Sequence, residues 1–114
     1  MNMKMNMKMK MVANFVNLTP HAINLNDGRV FPPSGVVARV SSSHSPFDGD
    51  GVSTLTFGDV VGLPDHQDGV LLITSALVAQ AAKRQDVVSP ATGHPDCVRN
   101  DKGHIVSVPG FVRG

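Results

Sequence analysis

The chain has 114 residues, the length of one domain, and carries a formal net charge of +1 with no Trp and no Tyr. Its single cysteine, Cys97, excludes an intrachain disulfide, and no apolar run is long enough to cross a bilayer, so a reducing, cytoplasmic location is expected. All nine acids are Asp, which together with 11 Gly and 8 Pro predicts many turns and few helices.

Residues 1–11, MNMKMNMKMKM, hold all six methionines and three of the lysines. They read as a disordered, low-complexity basic tail ahead of a single small globular domain over 12–114. There is no continuous apolar stretch of the secretory type. Without the tail, seven Lys and Arg face nine Asp, leaving the body at about −2. That balance does not suit phosphate-backbone binding, so neither a nucleic acid nor a membrane is expected as partner.

Phe15 to Leu18 reads as a short strand ended by Thr19-Pro20. His21 to Leu25 alternates strictly, placing His21, Ile23 and Leu25 on one face. Asn26-Asp27-Gly28 is a turn, and Arg29 to Phe31 returns as the partner strand. Val36 to Val40 is the next strand. Ser41 to Gly51 is rich in Ser, Gly and Asp and reads as a mobile surface loop. Val52 to Phe57 alternates again, and Gly58 to Gly69 reads as a connection.

Val70 to Ile73 is a continuous apolar run, the pattern of a central strand buried on both faces. Thr74 or Ser75 then caps a helix over Ala76 to Arg84, with Leu77, Val78, Ala81 and Ala82 as its apolar stripe and Lys83 and Arg84 in its last turn. Asp86 to Pro90 ends the helical pattern. Cys97 to Arg99 and His104 to Val108 form a second hairpin, and Pro109-Gly110 precedes a last short strand at Phe111 and Val112. The fold class expected is α+β: a small mixed, mainly antiparallel sheet of short strands and hairpins with one packed helix.

The segments VNLTPHAINL (Val16 to Leu25), PPSGVVARV (Pro32 to Val40), ITSALVAQA (Ile73 to Ala81) and VRNDKGHIVSVPGF (Val98 to Phe111) resemble a family of uncharacterised small proteins from bacteriophages, prophages and related bacterial elements. The Asn-Leu-Thr-Pro-His string is the most recognisable part. The resemblance covers most of residues 14–112 and implies a setting, the host cytoplasm, in which small accessory proteins bind a host protein or a signalling molecule.

Several residues could carry chemistry. His21, fixed by Pro20 on an apolar face, suits ligand binding or acid–base work, although a histidine hydrogen-bonded at the core edge fits the same pattern. Thr74 and Ser75 at a strand-to-helix junction offer hydroxyls and free backbone N–H groups to an anion, without any glycine-rich phosphate fingerprint. Arg39, Arg84 and Arg99 are the cationic candidates, against the alternative of exposed ion pairs with nearby Asp. Metal patterns are incomplete around His94, Asp96 and Cys97, around Asp65, His66 and Asp68, and at Asp48-Gly49-Asp50-Gly51. No hydrolase or kinase signature occurs.

The first reading is therefore a non-enzymatic binding module that sequesters a small anionic or nucleotide-derived ligand through His21, Arg39, Thr74, Ser75, Arg84 and Arg99, without cofactor or metal. The second is an interaction or structural protein. It would use sheet edges and the 41–51 loop to contact a host or phage partner or to form a homo-oligomer. A small enzyme is third.

Overall fold

The computed structural model describes residues 14–114, so the expectation of a basic tail over 1–11 lies outside the described residues. Ten short strands and one helix form the described part. They are β1 (Asn14–Asn17), β2 (Ile23–Asn24), β3 (Val30–Phe31), β4 (Arg39–His44), β5 (Leu55–Val61), β6 (Val70–Ile73), α1 (Ala76–Ala82), β7 (Val87–Pro90), β8 (Val98–Arg99), β9 (Ile105–Ser107) and β10 (Phe111–Arg113). Several small sheets with one helix make a small α+β fold. No helix among the described residues is long and apolar enough to cross a membrane.

The central sheet has the order β1-β6-β7-β10 and is mixed rather than antiparallel. β6 runs parallel to both β1 and β7, and β10 closes the sheet antiparallel to β7. The parallel pair β6–β7 is joined through α1, a compact β-α-β crossover. The remaining pairs, β2–β3, β4–β5 and β8–β9, are antiparallel two-stranded sheets.

The apolar run of β6 is explained by burial on both faces. Leu72 and Val87 face a cluster with Leu18, Ala38, Val78 and Ala79 beneath α1. Ile73 and Val88 face the opposite way, into a cluster with Ile23, Leu25 and Val108. Phe15, Phe31 and Phe111 border this second cluster, with ring centroids 5.0–5.7 Å apart, two of the three contacts being edge-on. Asp86-Val87-Val88-Ser89-Pro90, read from sequence as the end of a helical pattern, supplies the strand β7, fully buried at Val87.

α1 is shorter than its sequence suggests. Ser75 is the N-cap, its hydroxyl accepting from the Val78 N–H at 3.3 Å. The helix ends at Ala82 because Lys83 turns left-handed, with φ 54°, and donates its N–H back to Ala79 O. Lys83 and Arg84 therefore stand outside the helix rather than in its last turn. Val78 and Ala79 form the buried side, while Leu77, expected in the apolar stripe, is 45% exposed.

The largest departure lies in 36–61. The strand expected over Val36 to Val40 begins only at Arg39 and runs through Ser41–His44, which had the composition of a loop. It pairs with β5 as an arm whose register shifts between Val40 and Ser42. Val40 and Val60 at its base pack against the α1 cluster. Beyond them both strands are exposed, and the Ser43 and Thr56 hydroxyls hydrogen-bond across the pair at 2.9 Å. At the tip, the Asp48 carboxylate accepts the N–H groups of Asp50 and Val52.

Candidate functional site

Three segments distant in sequence meet at a cleft of about 450 Å³. One is the turn and strand Thr19–Asn24, the second is the junction Thr74–Ala76, and the third is β9 with Val108. Pro90 and Thr92 complete the lining.

The first wall is set by Asn17, which is 3% exposed at the end of β1. Its Nδ2 donates to the carbonyls of His21 and Phe31, both at 2.8 Å. Its Oδ1 accepts the Thr19 N–H at 2.9 Å and lies 2.7 Å from the Thr19 hydroxyl. The Asn-Leu-Thr-Pro-His string is thus a closed polar turn. Its chemistry goes into holding the backbone, and its product is the placement of His21 at the cleft mouth. His21 is exposed, not seated on the apolar face with Ile23 and Leu25 as the alternation suggested.

The third wall is stitched on by backbone hydrogen bonds between β2 and the end of β9. Asn26 N donates to Val108 O, and Val108 N donates to Asn24 O. Asn26 adds side-chain bonds to Asp96 O and to the Ser107 hydroxyl. Ile105 and Val106 remain 44% and 48% exposed, so this wall offers apolar surface that the fold itself leaves uncovered.

Of the six residues expected to bind a ligand, His21, Thr74 and Ser75 line this one cleft. Thr74 is fully buried, its hydroxyl 3.0 Å from Ser75 O and 3.4 Å from Val88 O, and Ser75 is occupied as the helix cap. Arg39 lies across the Ser75 junction in a second groove with Pro20, Val37, Val40 and Leu77. Arg84 is at the far end of α1, where Nε and Nη2 clasp the Asp86 carboxylate at 2.9 and 2.7 Å and Nη1 donates to Pro64 O. Arg99 donates to Gly103 O within the second hairpin and to Thr92 O in the segment before it. The three arginines therefore do not gather round the strand-to-helix junction, because two are bound to local acceptors and the third faces another groove.

No family model, no curated protein and no solved structure matches this chain.

Among the residues lining the cleft, His21 is the one ionisable group, and Thr19, Asn24, Thr74, Ser75, Thr92 and Ser107 are neutral polar groups on a largely apolar surface. No hydrogen bond joins the His21 imidazole to a hydroxyl or carboxylate among the described residues. Among those residues, too, no three His, Cys, Asp or Glu side chains come together in a way that could hold a metal ion. Thr19, Asn24, Thr92, Ile105, Val106 and Ser107 escaped the sequence reading. No local pattern announces that β9 folds back onto β2, which lies some eighty residues earlier.

Proposed function

We propose that this chain is a non-enzymatic binding module, an accessory protein of the phage or mobile-element kind, that holds a small molecule in the cleft beside His21. The observation that carries this reading is the convergence of three remote segments on one concave, mainly apolar surface with a few neutral polar groups, the usual makeup of a small-ligand site. Such a lining suits a flat apolar body with hydrogen-bonding edges, as in a nucleobase. A negative charge on the same ligand would meet no Lys or Arg among the lining residues, which makes the nucleoside part, not a phosphate, the main source of affinity.

A thermal-shift panel of nucleosides, nucleotides and cyclic nucleotides tests the reading. A ligand at about a hundred times its Kd stabilises by roughly 2.7 kcal/mol, or about 10 °C for a domain of this size. Ala22→Phe, at an exposed lining position, fills the cleft and is expected to abolish the shift. No shift with any member, or a shift that survives Ala22→Phe, contradicts the proposal.

A second reading, association with another polypeptide, is favoured by a separate feature, the exposed β4–β5 arm.

A further inference from the structure

The arm from Arg39 to Val61 carries two unlike ends. At its tip stands Phe47, 76% exposed, the most exposed large hydrophobic residue described. Beside Phe47 in the same turn are Asp48 and Asp50, neither of them in an ion pair with a Lys or Arg among the described residues. At its base lies a groove of about 270 Å³, whose lining includes Arg39, Val40, Leu77 and Val78. Arg39 is also without an ion pair among the described residues. Between the ends, Leu55 and Phe57 share one face two residues apart and are 41% and 37% exposed.

We infer that two copies of this chain associate by antiparallel packing of their arms, the Phe47 of each entering the groove beside Leu77 of the other. Base to turn spans about nine residue pairs, or roughly 30 Å at ~3.3 Å per residue. Laying two arms side by side in opposite directions brings each tip level with the other copy's base. The same two-fold operation sets Asp48 and Asp50 against Arg39, twice over, and places the Leu55–Phe57 faces in contact at the centre. Knob and groove, and acid and base, sit on one chain at opposite ends of one element, an arrangement that a two-fold pairing satisfies twice over.

The arm has the features of a strand pair that needs covering. A two-stranded hairpin exposed on both faces is marginal by itself. Neither strand carries a Lys or a Pro to guard its edge.

Sedimentation velocity of the whole chain across about 1–200 µM tests the inference, with far-UV circular dichroism to confirm that each variant keeps its fold. The expected result is a reversible dimer. Phe47→Ser and Arg39→Asp should each raise the dissociation constant about tenfold or more, and Arg39→Asp combined with Asp50→Arg should return it to within about threefold of the parent. A chain that stays monomeric throughout, a dimer indifferent to Phe47→Ser and Arg39→Asp, or a double variant as weak as Arg39→Asp alone would each overturn it.

Discussion

Asn17 commits its whole side chain to its neighbours: two donors to carbonyls of the His21 turn and of β3, and one acceptor to the Thr19 N–H. Among the described residues no buried side-chain polar atom is left without a partner, so the balance here is complete. Removing the group takes the side-chain donor from the Phe31 carbonyl and the acceptor from the Thr19 N–H in a part-buried place, while His21 O keeps the Thr19 hydroxyl at 3.0 Å. Asn17→Ala is therefore expected to cost about 2–4 kcal/mol in a urea unfolding curve. Asn17→Asp keeps the shape and the acceptors but loses both donors, and should fall at least as far. Retention of the parent midpoint in both variants would show that the turn holds without them. A second polar knot joins His66, Arg84 and Asp86. The Arg84 guanidinium, followed by the His66 imidazole, holds the Asp86 carboxyl below its ordinary value of 3.8. Asp86, with help from Asp68, raises His66 above 6.5. The two shifts act in opposite directions. Asp86's contribution to stability is present above pH 3.8 and is lost as pH falls through its lowered value. The contribution of His66 is full below pH 6.5 and is lost as pH rises through its raised value. Urea midpoints measured from pH 3 to 9 should thus decline at both ends, and His66→Ala should remove the alkaline decline while only lessening the acid one, because Arg84 still holds Asp86.

At the scale of elements, the chain after β5 turns on a glycine with no freedom to change. Gly62 has φ 81°, and a Cβ there would lie 2.7 Å from the Val37 carbonyl oxygen, a backbone atom that cannot swing aside. Gly62→Ala is expected to destabilise by about 2 kcal/mol or more. Gly58, opposite Ser41 in the arm, meets only a rotatable hydroxyl, so Gly58→Ala should cost well under half as much in the same unfolding assay. The contrast shows which features could be read beforehand. β6, a helix cap at Thr74 or Ser75, the Asn26–Gly28 turn and both short hairpins are legible because apolar pattern and turn chemistry agree locally. β7 was not, since four residues after a helix carry no period of their own and become a strand only by lying beside β6. Ser41–His44 was missed for the opposite reason: a strand that faces water on both sides has no apolar alternation to display. The helix end was misplaced because Lys83 is a good helix former that adopts a left-handed conformation to close a cap.

For the whole molecule, the central sheet is sandwiched between α1 with the arm's base on one face and the two short hairpins on the other. The cleft opens where this second layer meets the β6–α1 junction. Three of the six residues expected to bind a ligand, His21, Thr74 and Ser75, line the cleft, and each stands at a local turn or cap. The cleft wall along β9 arises only from long-range pairing with β2; of the expected arginines, Arg84 and Arg99 are held by acceptors close to them in sequence and Arg39 faces the other groove. The central claim is that these joined segments bind one small ligand. Its most direct test is a two-dimensional amide NMR titration with the strongest hit of the nucleoside and nucleotide panel. The account predicts shifts confined to 19–24, 74–76 and 105–108. Shifts centred instead on the arm tip at 47–52 or on the Arg84–Asp86 pair would contradict it.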